Sequence, residues 1–99
     1  MAVIGKFVKT RRGFYSGTLP KLFAKTRFRI VPCGYKRAPG DYDFWVTVQS
    51  SIVGEAWSRF SPKTKQRYLE VLLNAIYPLE PIACRLVESG SGYLLVESE

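Results

Sequence analysis

Histidine is absent from this 99-residue chain. Its absence removes Ser-His-Asp and Cys-His catalysis, histidine metal sites and the commonest general base. Cysteine is nearly absent too. Cys33 and Cys84 stand far apart with no C-x-x-C spacing, too few for a structural zinc site and expected as reduced thiols packed as small buried or half-buried side chains. No apolar run approaches the ~18 residues that a membrane-spanning helix needs. The opening "MAVIGKFVKTRRG" is too short and too broken by charge for a secretion signal. A cytoplasmic chain with no membrane partner is the expectation. No G-x-x-x-x-G-K-[ST] occurs, and the glycines of "GFYSG" lack the strand-then-helix setting of a phosphate loop. Asp41 and Asp43 follow Pro39-Gly40 and read as a solvated turn rather than a carboxylate pair for acid-base or magnesium chemistry. Neither an enzyme nor a cofactor or metal is expected.

Acid is also missing, but only from one part. Residues 1–40 hold ten lysines and arginines and no Asp or Glu, whereas residues 41–99 hold five cations against eight acids. The net +7 therefore conceals a +10 stretch followed by a −3 stretch, an asymmetry that points to a polyanionic partner. At its centre lies "LFAKTRFRIV", residues 22–31. Alternation puts Leu22, Ala24, Thr26, Phe28 and Ile30 on one face of a strand, and Phe23, Lys25, Arg27, Arg29 and Val31 on the other.

Short β-branched and aromatic runs divided by Gly, Pro and Ser recur along the whole chain. "AVIGKFVKT", "GFYSGTL", "LFAKTRFRIV", "DFWVTVQ", "IVGEAWSRF", "IACRLVE" and "YLLVES" all read as strands, and "SGSG" as a turn. In "DFWVTVQ", Phe44, Val46 and Val48 share one face, with Trp45, Thr47 and Gln49 on the other. The expected fold is all-β, one domain over residues 1–99: a small antiparallel sandwich or partly open barrel of about seven or eight short strands. "SPKTKQRYLEVLLNAIYP" fits two readings. Tyr68, Leu69, Leu72, Leu73, Ile76 and Tyr77 match a helical period, with Ser61 as N-cap and Pro62 at the first helical position. "YLEVLL" is equally a short apolar strand, and periodicity alone does not choose.

The ordered pieces "IGKF", "GFYSGTL", "RIVP", "YDFWV", "GEAW", "YLEV", "PIACRLVE" and "GYLLVES" resemble domain-of-unknown-function family 736, short proteins of proteobacterial plasmids and integrative elements. The resemblance runs from Ile4 to about Ser98 and rests on order and spacing. It implies a mobile-element setting and carries over no catalytic residue. It also implies a strand starting at Tyr68-Leu69 after Gly54, Ala56 and Trp57, although "SPKTKQR" lacks the turn glycine of the family. A short helical turn near 61–66 and a strand over about 67–73 follow from it.

What remains for function is a surface. Lys9, Arg11, Arg12, Lys25, Arg27, Arg29, Lys36 and Arg37, interleaved with Tyr15 and Tyr35, are the expected nucleic-acid-binding residues. Cations track a phosphate backbone and rings stack bases on a single strand, as small barrels of the oligonucleotide-binding type do on a sheet face. Among the other rings, Phe14, Phe28, Phe44 and Trp57 are expected in the core, and Trp45 there or on the second face. The first expectation is thus a non-enzymatic module for single-stranded nucleic acid. The alternative is a protein-interaction module that docks on or inhibits an acidic host or conjugation protein through the basic face or a sheet edge. The chain itself is expected as a monomer or homodimer.

Overall fold

A computed structural model describes residues 3–20, 23–34, 41–74 and 80–97, with side chains in the second stretch from Thr26 onward. The described residues form eight strands and no helix: β1 (Val3–Lys9), β2 (Tyr15–Leu19), β3 (Phe23–Pro32), β4 (Phe44–Val48), β5 (Ser51–Ser61), β6 (Gln66–Leu73), β7 (Ile82–Ser89) and β8 (Gly92–Glu97). Each pairs antiparallel with the next, and β8 returns to β1, so the sheet closes. The fold is all-β as expected, but the barrel is closed rather than partly open. Its up-and-down order also differs from the five-stranded Greek-key barrel of oligonucleotide-binding domains.

Alternation decides which side chains fill the barrel. On β3, Phe28 and Ile30 point inward and are buried, while Arg27 and Arg29 lie outside, as the sequence pattern requires. Facing them across β4 are Val48 and Val46, with Phe44 opposite Pro32. Leu69, Val71 and Leu73 of β6, Cys84 and Leu86 of β7, and Leu95 of β8 complete the core. Eight strands enclose a space just wide enough for such side chains to fill, and fully burying each large one contributes about 1.5–3 kcal/mol. Large and small residues take turns inside. A Cβ on Gly17 would collide with the Lys6 carbonyl oxygen and the Phe7 ring, so the ring of Phe7 occupies the space that a side chain at 17 would need.

On β5 the inward positions are the small ones, Gly54, Ala56 and Ser58, because their partners Leu73, Val71 and Leu69 already fill the interior. Trp57 is thereby turned outward and half-buried opposite Glu70. This corrects its expected place in the core. Phe14 is likewise outside the core cluster, in the β1–β2 hairpin, whereas Phe28 is in it and Phe44 packs against it. Trp45 takes the second face, beside Tyr42 at 6.2 Å between ring centroids.

The two-way segment resolves as a hairpin. Residues 62–65 make one turn, closed by a hydrogen bond from the Lys65 N–H to the Ser61 carbonyl at 2.7 Å. That four-residue spacing is helical in kind, but Lys65 has φ +57°, in the left-handed region that reverses the chain. β6 then runs from Gln66 to Leu73, held on both sides by β5 and β7. Ile76 and Tyr77 lie outside the described residues.

No helix among the described residues is long and apolar enough to cross a membrane. The outer wall carries Lys6, Arg27, Arg29, Glu70 and Arg85 as exposed side chains, the reverse of the apolar outer band of a membrane barrel.

Candidate nucleic-acid interface

In an up-and-down barrel successive turns alternate between the two ends. The β1–β2, β3–β4, β5–β6 and β7–β8 connections therefore share one rim, which frames a mouth of the barrel. The β1–β2 hairpin turns through Arg11 and Arg12: the Gly13 N–H reaches the Thr10 carbonyl at 3.1 Å, and the Thr10 N–H reaches that of Phe14 at 2.8 Å. Gly13 has φ +91°, which its missing side chain permits, and both arginines project exposed from the tip. Diagonally across, the β5–β6 hairpin carries exposed Lys63, Lys65 and Arg67. Trp57–Ser61 of β5 lie beyond the last β4–β5 pair, Phe44 with Ala56, and Gln66–Tyr68 lie before the first β6–β7 pair, Leu69 with Leu86. Among the described residues the three outermost β5–β6 pairs, Arg59–Tyr68, Phe60–Arg67 and Ser61–Gln66, have no third strand beside them, so the hairpin stands free of ladder partners over about 10 Å of strand at ~3.3 Å per residue. Its base is fastened by Asp43, whose Oδ2 accepts the Ser58 N–H at 2.9 Å and whose N–H donates to the Ala56 carbonyl at 2.9 Å.

Between these hairpins the barrel opens into a cavity of about 330 Å³. Leu69 and Leu86 form its floor, and Tyr15, Phe44 and Tyr93 its aromatic wall. Tyr15 meets Tyr93 edge-to-face at 5.0 Å and 83°, and Phe44 at 6.0 Å and 64°. Burial pushes the Tyr15 hydroxyl above its ordinary range, with Tyr93 and the charge of Glu88 adding to it, so the phenol stays protonated at neutral pH. Lys9 sits over the Tyr15 ring at 5.8 Å, and Ser58, Gln66, Arg67 and Glu88 line the opening. A second groove, about 260 Å³, runs from this opening down the outside between the projecting hairpin and β7, where Arg85 lies over Tyr68 at 5.6 Å. Beside it Arg59 pairs with Glu70 at 2.9 Å and lies 5.9 Å from the Trp57 ring.

Measured against expectation, Lys9, Arg11, Arg12 and Tyr15 converge on this rim. Tyr15 is there as a buried wall of the mouth rather than as a surface ring. Arg27 and Arg29 are elsewhere, on the outer wall. The Arg27 Nη1 donates to Ser16 Oγ at 3.0 Å, and Arg29 lies over the Phe14 ring at 5.7 Å, so each has a partner within the chain. The side chain of Lys25, and all of Tyr35, Lys36 and Arg37, lie outside the described residues. Lys63, Lys65, Arg67, Tyr68, Glu88 and Tyr93 were not anticipated. The signal for the first three was present: "AWSRFSPKTKQRYL", residues 56–69, is a second acid-free run, inside the half whose net charge is negative. Both cysteines are thiols, Cys33 half-buried and Cys84 buried in the barrel, and no cluster of metal-ligating side chains occurs among the described residues.

Fold and rim together define a small closed β-barrel with a cationic, aromatic mouth. By sequence the chain belongs to the family described as "Protein of unknown function (DUF736)", whose model matches residues 3–96. No curated protein and no solved structure matches it.

Proposed function

We propose that the protein is a non-enzymatic binding module for single-stranded nucleic acid, which it engages at the barrel mouth. The observation that carries this reading is the meeting of two acid-free hairpin ends, residues 3–19 and the outer part of the β5–β6 hairpin, residues 56–69, on either side of an aromatic opening. Lys9, Arg11 and Arg12 stand on one side and Lys63, Lys65 and Arg67 on the other. A flexible strand can run from the β1–β2 tip across the mouth and leave by the groove beside Arg67 and Arg85, where Tyr68 offers a further ring. A duplex would meet the projecting β5–β6 hairpin as an obstacle. The mobile-element setting implied by the family resemblance, and a cytoplasmic location, belong to the same proposal: transfer and replication of such elements expose single strands.

Closure of the sheet limits partner docking by strand addition to the short unpaired edges of the outer β5–β6 hairpin among the described residues, Arg59–Ser61 and Gln66–Tyr68. The rim predicts about six phosphate contacts, and on a single strand log affinity then falls with log salt at a slope of about −4. Fluorescence anisotropy of labelled oligonucleotides over a salt series measures it. Absence of binding at low salt would refute the proposal.

A further inference from the structure

We propose that the barrel mouth is a pocket for one unstacked base of the bound strand, which enters beside the touching pair Tyr15 and Tyr93 under the rim cations. The inference rests on the single-strand reading above and goes beyond it by assigning the cavity an occupant. Four observations carry it. The cavity is about 330 Å³, at the small end of ligand pockets, which run from about 300 to 1,000 Å³. That is room for a planar heterocycle and not for a length of backbone. Its wall is aromatic, and because Tyr15 and Tyr93 meet edge-to-face, a third flat group is not shut out by a stacked pair. Its opening carries donors on Arg67 and Gln66 and acceptors on Glu88 and Gln66, matching the mixed donor and acceptor edge of a base rather than a purely anionic or apolar ligand. Finally, Lys9, over the Tyr15 ring at 5.8 Å, and Arg67 stand where the flanking phosphates of an inserted base would pass.

A free nucleotide offers the same ring, but the cations extend to both hairpin tips, much farther than one phosphate reaches. The occupant is therefore a base of a strand. Stacking a base on such rings is worth about tenfold or more in affinity.

The test compares octanucleotides on the full chain by anisotropy: an intact strand, a fully abasic strand of equal length, and eight strands each abasic at a single position. The expected result is that the intact strand binds at least about tenfold more tightly than the abasic one, with the loss concentrated at one or two positions. Tyr93→Leu, checked for folding by circular dichroism, should lower intact-strand affinity towards the abasic value and leave abasic affinity unchanged. Equal binding of intact and abasic strands would overturn the pocket while leaving the cationic rim standing, as would a loss spread evenly over all positions. If mononucleotide binds as tightly as the octamer, the strand is not the ligand and the inference fails. Failure of every oligonucleotide to bind at low salt would refute the rim reading and the pocket with it.

Discussion

Replacing Lys63 and Lys65 together by alanine isolates the contribution of the projecting hairpin. Both side chains are exposed in a turn whose closing bond is made by backbone groups, Lys65 N–H to Ser61 carbonyl. The stability of the fold should therefore change by no more than about 0.5 kcal/mol. Binding should change in a defined way. Six phosphate contacts on a single strand give a slope of about −4, so wild-type affinity falls about 250-fold between 50 and 200 mM salt. With two contacts removed the slope becomes about −3, and the fall over the same range only about 60-fold. The comparison variant is Arg27→Ala with Arg29→Ala, on the outer wall, where Ser16 and Phe14 already engage the two arginines. Its slope should stay near that of the wild type. Anisotropy titrations at four salt concentrations suffice. An unchanged slope for the lysine pair, or an equal loss for the arginine pair, would refute the placement of the strand at the mouth and move it to the wall.

Gly17→Ala drives a Cβ against the Lys6 carbonyl oxygen and the Phe7 ring, and the backbone side of that clash has no rotamer to relieve it. Destabilisation of about 3 kcal/mol and a melting temperature lowered by more than about 10 °C are expected; a shift under about 3 °C would show that the strands part easily there. Burial pushes the Cys84 thiol up from 9.0 to about 12, so the unfolded chain loses this proton at lower pH than the folded one. Stability is therefore full below pH 9 and falls above it, at up to about 1.4 kcal/mol per pH unit. Denaturant titrations at pH 8, 9 and 10 should show this fall in the wild type and a flatter profile in Cys84→Ala; the same fall in both would assign it elsewhere. Glu88→Gln removes the one acid that lines the mouth among the described residues and should raise affinity for any single strand several-fold at low salt, read by the same anisotropy assay. No gain would place the backbone away from β7.

Much of the fold is written locally. Alternation in "TRFRIV" places Phe28 and Ile30 inside and Arg27 and Arg29 outside without reference to any other strand. "FWVTV" does the same for Phe44, Val46 and Val48. Local pattern fails where the interior is shared unequally. Trp57 reads as core because it is large, yet β5 contributes Gly54 and Ala56 inward against Val71 and Leu73, and the large residue is displaced to the wall. Residues 66–73 satisfy both periods, and only the demand of β5 and β7 for a strand between them chooses. Closure is less legible still. Pairing of β1 with β8 sets Phe7 opposite Tyr93 and so brings Tyr93 to Tyr15, a contact between residues 78 positions apart that no local pattern contains.

The charge distribution changes meaning for the same reason. Counted along the chain it divides into a basic and a mildly acidic half, which marks Lys25, Arg27 and Arg29 as its centre. In space the relevant division is by connection parity. The described turns at the mouth carry Arg11 and Arg12, then Lys63 and Lys65, against Asp41 and Asp43, whereas the described turn residues at the other end, Pro20, Gln49, Ser50, Asn74, Glu80 and Pro81, include no cation. Like charges at one rim repel, and the strand ladders that hold them there offer no escape by rearrangement. Spreading them over separate hairpins around an opening keeps that repulsion small in the empty barrel, while a single phosphate backbone crossing the opening can reach each hairpin in turn. Of the wall arginines, Arg27 already donates to Ser16, and both lie on one strand rather than on separate hairpins. On this argument the rim, and not the strand that first draws attention in the sequence, is where a polyanion gains most from binding.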